Sequence, residues 1–208
     1  MRGPVASLPS RLAAPVLTFD DGPGPSTPAL LDVLKARGWQ ATFFLLGAQI
    51  ARSPQVAERI AREGHVLGNH TQTHARPGTL SEYTLLEEIA ATDAQIAHAY
   101  AGAGMRVPAV VPVRLPYGVQ IASETGVDPR LAVLARLGRP HVGWTLMLDD
   151  WQRPAPGACA LVAAMQAHHA AQYALGEPAV FCLHDGSRHG ESRPATVTAV
   201  ARFLDALA

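Results

Sequence analysis

The stretch Thr18-Phe19-Asp20-Asp21-Gly22-Pro23 places two adjacent carboxylates at the end of a short apolar run. The run, residues 15–19, is β-branched and aromatic and is bounded by turn residues, which predicts a short buried strand. Neighbouring carboxylates resist joint ionisation, so a positive group is expected nearby, and a divalent metal ion is the obvious candidate. The alternative for this stretch alone is an ordinary Asp-Gly turn with solvated carboxylates. The rest of the chain bears on this choice.

Composition excludes several classes of protein. A chain of 208 residues with 48% hydrophobic and 16% charged residues can bury a substantial core. Its 17 basic and 17 acidic residues cancel, and no basic patch or acidic tail is visible, so nucleic acid is not an expected partner. No stretch approaches the about 20 apolar residues of a membrane span. Two distant cysteines, Cys159 and Cys182, make no disulfide framework or zinc knuckle, and we expect buried free thiols.

Apolar strands alternate with helical segments along the chain. The pattern predicts about six strand–helix units and therefore an α/β fold, with a parallel sheet covered by helices. We find no internal repeat or linker, which predicts a single domain over residues 1–208 with residues 1–14 as an N-terminal extension. Beyond the first strand, the predicted strands are residues 41–46, 65–68, 110–113, 141–148 and 179–183.

One long helix is predicted after the third strand. Thr79 and Glu82 have the spacing of a capping box. The residues after them form an apolar stripe with alternating spacings of four and three, which is typical of one buried helix face. The stripe consists of Leu85, Ile89, Thr92, Ile96 and Ala99.

Nearly every polar cluster lies directly after a predicted strand. In α/β barrels and open α/β sheets, sites form at the carboxyl ends of the strands. Side chains that are far apart in the sequence should therefore meet at one rim, and scattered core histidines would not all follow strands. The converging residues are Asp20, Asp21, His70, His74, Arg114, Asp150 and His184.

His70 and His74 are four residues apart. On a helical turn this spacing puts both imidazoles on one side, close enough to share a metal ion. The pair alone is a weak signal. A carboxylate from another strand end would complete a set of two histidines and one carboxylate, which leaves metal positions open for water and substrate, as in hydrolytic zinc sites.

Three other residues have both a structural and a functional interpretation. Arg114 follows a buried strand and needs an acidic partner, either in a structural ion pair or in a catalytic group. His184 is either a satisfied core histidine or a general acid. Trp151 is either an aromatic at the edge of the core or a wall of a binding pocket.

Five short motifs follow one another along the chain. They are Thr18-Phe19-Asp20-Asp21-Gly22-Pro23, His70-Thr71-Gln72-Thr73-His74, Arg114-Leu115-Pro116-Tyr117-Gly118, Asp150-Trp151 and Leu183-His184-Asp185. In this order they resemble the motifs of the polysaccharide deacetylases with the NodB homology domain (carbohydrate esterase family 4). The resemblance runs from about residue 15 to the C-terminus. It implies a distorted (β/α) barrel and metal-dependent removal of N-acetyl groups from an N-acetylglucosamine-containing poly- or oligosaccharide, of chitooligosaccharide or peptidoglycan type, with release of acetate.

The same resemblance implies a role for each polar residue of the rim. Asp20 is implied as the general base with Arg114 positioning it, and His184 as the general acid with Asp150 as its charge partner. A divalent ion, usually zinc (Zn²⁺) but also other metals such as cobalt (Co²⁺), is implied at Asp21, His70 and His74. The implied substrate-binding residues are Tyr117, Trp151 and Leu183, the last two lining a pocket for the acetyl methyl group.

Two details bear on how these residues work. Met147 stands where the fourth family motif often has a second aspartate, which affects substrate positioning but not the metal chemistry. Successive residues of an extended chain point to opposite sides, so Asp20 and Asp21 are predicted to have different tasks.

Other functions fit the same chain less well. A hydrolase of the same fold acting on a small N-acyl or cyclic amide is a close alternative, because residues 1–14 lack a signal-peptide core and the polymers lie outside the cytoplasm. This predicts a cytoplasmic location for the chain as it stands, although a trimmed secreted or cell-envelope protein would look the same. In a non-catalytic sugar-binding module, some of the seven polar residues would be expected to be replaced, and all seven are present. A metal sensor would not need Arg114, Asp150 and His184 together. No feature of the sequence indicates an oligomeric state.

Overall fold

The computed structural model describes residues 14–119 and 128–207, and in these ranges five strands pair in one parallel sheet. The order across the sheet is β3-β2-β1-β5-β4, so the strand that carries the two aspartates lies at its centre. The predicted parallel α/β fold is therefore confirmed. The strands are β1 (Val16–Gly22), β2 (Thr42–Leu45), β3 (Val66–Asn69), β4 (Leu146–Met147) and β5 (Val180–His184).

The described ranges also contain seven α-helices. Six of them contribute buried residues to one large hydrophobic core, which they share with the odd-numbered residues of β1, β2, β3 and β5. The helix Pro129–Arg136 instead buries Val133 and Leu134 in a second, smaller cluster. Alternate residues of a strand face opposite sides, so the even-numbered residues of β1 and β5 face away from this core. The helices are α1 (Thr27–Ala36), α2 (Gly47–Arg52), α3 (Pro54–Arg62), α4 (Glu82–Gly102), α5 (Pro129–Arg136), α6 (Ala158–Leu175) and α7 (Pro194–Asp205).

The predicted strands at residues 110–113 and 141–148 are largely wrong as regular strands. Val113 forms single parallel bridges to Asn69 and to His141, and only Leu146–Met147 of the later segment pairs with β5. Pro112 has no N–H to donate, which prevents a continuous ladder beside β3. These bridges link β3 through Val113 to His141, which precedes β4 in the chain. The parallel arrangement therefore extends beyond the edge of the sheet, as in a distorted barrel, without continuous strand pairing.

Helix α4 begins differently from the prediction. Its N-cap is Ser81, whose hydroxyl accepts a hydrogen bond from the backbone N–H of Thr84 at 3.1 Å. Thr79 instead donates its hydroxyl to the carbonyl of Arg76 at 2.6 Å, so the capping-box interpretation of Thr79 is wrong. The apolar stripe of this helix is confirmed, because all five of its residues are buried.

Three sequence predictions concern the surface and the termini. Cys159 is exposed on α6, so the prediction of a buried thiol is wrong there, whereas Cys182 is buried in β5. Among the described residues, no helix combines the length and apolar character needed to cross a membrane. Apart from Ala14, the predicted N-terminal extension lies outside the described residues.

Gly68 of β3 lies against the ring of its cross-strand partner, Phe44. A Cβ added at Gly68 would lie 2.5 Å from a ring carbon of the completely buried Phe44, so the ring or the backbone must shift within the packed interior. We expect Gly68→Ala to lower the free energy of unfolding by about 1–3 kcal/mol, measured by urea-induced unfolding. Val66→Thr is the control, because Val66 is 41% exposed on the same strand. A Gly68→Ala protein as stable as the wild type would contradict this account.

Candidate active site

A cavity of about 340 Å³ with a mostly apolar lining opens at the carboxyl ends of the strands. Asp20, Asp21, His70, His74 and His184 line it. The other two converging residues, Arg114 and Asp150, are buried directly behind two of these side chains and contact them. The structure therefore brings all seven predicted polar residues together.

The end of β1 delivers both aspartates to this one cavity. The register between β1 and β2 shifts between Asp20 and Gly22, and Asp21 has a φ of 70°, in the left-handed region. This bulge turns the Asp21 carboxylate into the cavity, whereas an unbroken strand would point it to the opposite face. The prediction that simple alternation separates the two aspartates is wrong, and what distinguishes them is their partners.

Asp20 is held by Arg114. Nη1 of Arg114 donates to Oδ1 of Asp20 at 2.7 Å and to the hydroxyl of Thr18 at 2.7 Å. The Sγ of Cys182 lies 3.4 Å from the other carboxylate oxygen and donates to it. Burial opposes ionisation of Asp20, but the Arg114 guanidinium, assisted by His70 and His184, holds its pKa below the usual value. The carboxylate is therefore ionised and fixed in orientation.

The Arg114 side chain is itself fixed by the backbone. Nε donates to the carbonyl of Val142 at 2.9 Å and Nη2 to that of Gly143 at 3.1 Å. Its guanidinium carbon lies 4.2 Å from the centre of the Phe44 ring. These contacts leave Arg114 little freedom, so it positions Asp20 as well as balancing its charge.

Asp21, His70 and His74 form a compact group of ligand atoms. Oδ1 of Asp21 lies 3.5 Å from Nε2 of His70 and 3.3 Å from Nε2 of His74. Nδ1 of His70 lies 2.7 Å from the carbonyl of Arg114, and because a carbonyl only accepts, Nδ1 carries the proton and Nε2 is free to bind a metal ion. Burial lowers the pKa of His74 to about 4, so the His74 imidazole is neutral at pH 7.

The donor set fits a divalent cation. Two imidazole nitrogens and one carboxylate oxygen match the ligands that zinc uses in hydrolytic sites. Oδ1 of Asp21 is buried and has no hydrogen-bond partner among the described residues. A buried anionic oxygen without a partner is costly, and a cation at this point would satisfy it.

The two histidines meet for a reason that differs from the prediction. Residues 70–74 form an irregular loop, not a helical turn, and Thr71 and His74 have φ values of 70° and 57°. The loop brings the ring centres of His70 and His74 to 5.3 Å. The helical interpretation of this spacing is therefore wrong, although the two imidazoles do lie together.

His184 and Asp150 form a buried pair on the other side of Asp20. Nδ1 of His184 lies 2.7 Å from Oδ1 of Asp150, and Oδ2 of Asp150 accepts from the backbone N–H of His184 at 2.9 Å and from the Thr196 hydroxyl at 2.8 Å. Burial alone would lower the pKa of His184, but the Asp150 hydrogen bond and charge, with smaller contributions from Asp21 and Asp20, raise it to about 9. The imidazolium is therefore the form present at neutral pH, with Nε2 left as a proton donor.

Aromatic side chains frame the mouth of the cavity. Tyr117 and Trp151 line it and are each 44% exposed. The Tyr117 ring centre lies 4.6 Å from that of His74. Trp144 and Met147 add further apolar surface. Trp144 belongs to none of the five sequence motifs, so no local signal marks it as a site residue.

The predicted pocket position of Leu183 is wrong. Its side chain is fully buried in the hydrophobic core with the other odd-numbered strand residues, whereas Cys182 and His184 line the cavity. The alternation of side chains along a strand explains this arrangement, because a residue adjacent to His184 must face the opposite side. Counting back two residues from His184 would have identified Cys182 as the wall residue.

Comparisons with known proteins cover most of the chain. The family model described as polysaccharide deacetylase matches residues 13–130. A chitooligosaccharide deacetylase of Bradyrhizobium sp. (strain ANU 289) is 34% identical over 183 residues, which span 86% of this chain and 74% of the relative. A peptidoglycan-N-acetylglucosamine deacetylase of Bacillus cereus is 40% identical over 147 residues, which span 70% of this chain and 49% of the relative. The solved structure of a family 4 carbohydrate esterase from Streptomyces lividans, in complex with acetate, superposes with a TM-score of 0.70 at 30% identity and covers 94% of this chain and 88% of that one.

Proposed function

This chain belongs to the polysaccharide deacetylase family, and we propose that it is a metal-dependent hydrolase that removes acetyl groups from N-acetylglucosamine units of a poly- or oligosaccharide and releases acetate. One observation carries the proposal. A single cavity holds the ionised carboxylate of Asp20, which pairs with Arg114, and the imidazolium of His184, which pairs with Asp150. It also holds a group of three side chains that can bind a metal ion. Hydrolysis of an amide needs a proton acceptor, a means of activating water and carbonyl, and a proton donor.

Asp20 is the general base of this proposal. Its carboxylate is ionised and cannot rotate freely, because Arg114 and Cys182 hold its two oxygens. It therefore faces the cavity with a fixed lone pair that takes the proton of the attacking water. A carboxylate whose pKa is held low is a weak base, so its water must be made more acidic than bulk water.

Asp21, His70 and His74 are the proposed ligands of the divalent ion, zinc by preference and cobalt as a substitute. When bound, such an ion supplies Lewis acidity, which increases the acidity of water and polarises a carbonyl. Asp20 keeps its own separate partners, Arg114 and Cys182, and remains available for the proton.

His184 is the proposed general acid. The amine that leaves during amide hydrolysis needs a proton, and the imidazolium at His184 can provide it from Nε2 because Nδ1 is engaged by Asp150. The contact with the Asp150 carboxylate stabilises the imidazolium until His184 transfers its proton. Base and acid are thus two groups whose environments shift their pKa values in opposite directions.

The walls support a sugar substrate. Tyr117 and Trp151 are half-exposed aromatic side chains at the mouth, where the apolar faces of sugar rings can pack. Cys182, Trp144 and Met147 form an apolar surface next to the reacting groups, which suits the methyl group of an acetamide. A backbone N–H of Leu115 or Tyr117 is the proposed further donor to the developing oxyanion, since Pro116 has none.

Release of acetate from a defined panel of substrates tests this function. We expect release from chitooligosaccharides or N-acetylglucosamine-containing peptidoglycan fragments, loss of release after dialysis against a chelator, and recovery when zinc is added back. Simple N-acyl and cyclic amides belong in the same panel, because the competing hypothesis is a small-amide hydrolase of the same fold. Cleavage of the small amides alone would replace the sugar substrate, and full activity without any divalent ion would overturn the metal dependence.

A further inference from the structure

The loop that carries the two histidine ligands, residues 70–74, has an unfavourable backbone. Thr71 and His74 are not glycines, yet both have a positive φ, 70° and 57°. This region is sparsely populated for such residues and persists only where surrounding contacts hold it. Residues 70–74 therefore need anchors outside the loop.

One side of the loop is anchored by backbone groups. The N–H of His70 donates to the carbonyl of Leu45 at 3.0 Å. The first residues of α2, Gly47 and Ala48, donate to the carbonyls of Thr71 and Gln72 at 3.1 and 3.0 Å. The first contact fixes the start of the loop, and the two contacts from α2 fix the carbonyls of Thr71 and Gln72.

The N–H side is anchored by one carboxylate, that of Glu88 on α4. Oε2 of Glu88 accepts from the N–H of Gln72 at 2.9 Å and from that of Thr73 at 2.7 Å. Oε1 accepts from the Thr73 hydroxyl at 2.6 Å. Among the described residues, these two amides donate to no acceptor other than Glu88.

We propose that Glu88 is a positioning residue for the metal site: it clamps the backbone at Gln72 and Thr73 so that His70 and His74 on either side point their Nε2 atoms at Asp21. The inference rests on the proposed function, because it assigns a metal ion to that ligand group. Charged hydrogen bonds to backbone N–H groups are about twice as strong as neutral ones, which suits a clamp on an unfavourable loop. Glu88 does not line the cavity and touches none of the reacting groups.

The clamp is distinct from the support that Asn69 supplies. Oδ1 of Asn69 accepts from the N–H of Thr71 at 2.8 Å, and its amide nitrogen donates to Ile89 and Asp93 of α4. Asn69 therefore fixes the start of the loop, whereas Glu88 fixes its middle. Both residues connect the loop to α4, so the position of this helix determines where His70 and His74 lie.

Three variants test the inference with two readouts. Glu88→Ala removes every side-chain acceptor. Glu88→Gln keeps one oxygen that can accept from both amides and a nitrogen that can donate to the Thr73 hydroxyl. Glu87→Ala is the matched control, because it removes an exposed glutamate from the adjacent position of α4. The readouts are the zinc affinity from chelator competition and the hydrogen-exchange rates of the Gln72 and Thr73 amides in metal-free protein, with circular dichroism to verify folding.

We expect Glu88→Ala to bind zinc about 10–100-fold more weakly, the usual effect of removing a group that orients metal ligands. Its Gln72 and Thr73 amides should exchange markedly faster than in the wild type. Glu88→Gln should lose much less affinity than Glu88→Ala, and Glu87→Ala should match the wild type in both readouts.

The inference would be overturned if Glu88→Ala kept wild-type zinc affinity and wild-type exchange rates, or if Glu88→Gln were as impaired as Glu88→Ala. The role of Glu88 and the proposed function can be refuted separately. Zinc binding that depends on Glu88 without any acetate release would refute the proposed function and leave the clamp intact. A wild-type protein that binds no zinc would refute the metal site, and the exchange rates alone would then decide whether Glu88 holds the loop.

Discussion

The Asp20→Asn variant is expected to keep its metal ion and to lose deacetylation by about 10²–10⁴-fold, the usual contribution of a general base. Asparagine has the size of aspartate and can still accept a hydrogen bond from Arg114 through its amide oxygen. It cannot take a proton from water. Since Asp20 is not part of the Asp21–His70–His74 ligand group, its replacement should leave the metal content unchanged.

Asp21→Asn is the matched counterpart, because it makes the same chemical change one residue away. Its Oδ1 is the atom that both imidazoles approach, at 3.5 and 3.3 Å. A neutral amide oxygen is a weaker ligand than a carboxylate, so we expect a lower zinc affinity and partial recovery of activity in excess zinc. Metal content by mass spectrometry and acetate release, both at low and high zinc, distinguish the two variants.

Two results would contradict this assignment. Loss of metal in Asp20→Asn with retention in Asp21→Asn would reverse the two roles. Full activity in both variants would remove the aspartates from the chemistry and return them to the interpretation as an ordinary turn.

The second large effect concerns the proton donor. We expect His184→Ala to lower turnover by about 10²–10⁴-fold while the metal ion stays bound. The imidazole is the group in the cavity that the structure keeps protonated at neutral pH, through Asp150. His98→Ala is the control, because His98 is an exposed histidine on α4. Wild-type turnover in His184→Ala would make His184 a satisfied core histidine.

The same pair predicts a pH dependence with a definite sign. The pKa of His184 is raised to about 9, so the acid is protonated below that pH and activity should fall as the pH rises through it. A bound cation nearby disfavours the imidazolium and would move this alkaline limb towards lower pH.

Asp150→Asn tests the origin of that limb. Without the carboxylate charge, burial dominates and disfavours the imidazolium, so the alkaline limb of kcat/KM should move by more than one pH unit to the acid side. Asp149→Asn is the adjacent control, because Asp149 is exposed and does not contact His184 among the described residues. An alkaline limb in Asp150→Asn that coincides with that of the wild type would contradict the assignment.

Much of the fold and of the site followed from the order of the sequence alone. Each polar motif lies directly after an apolar segment that the sequence predicts as a strand, and parallel strands end on the same side of their sheet. This rule brought Asp20, His70, Arg114 and His184 together although 164 positions separate the first from the last. The central strands and the long helix α4 were also predictable, because their apolar patterns are local properties of the chain.

The tertiary structure decided where individual side chains point. Alternation along β5 puts Cys182 in the cavity and Leu183 in the core, but which side is the cavity depends on the helices packed outside. The bulge at Asp21 results from the slip between β1 and β2, and a register between two strands is a non-local property.

The loop at residues 70–74 is the clearest case of this division. The sequence determined that two histidines follow β3 at a spacing that allows them to share a metal ion. It could not determine their geometry, because the backbone there is unfavourable by itself and is held by α2 on one side and Glu88 on the other. Local preference selects the helices and strands of this protein, whereas the positions of its ligand atoms depend on hydrogen bonds from residues remote in the chain.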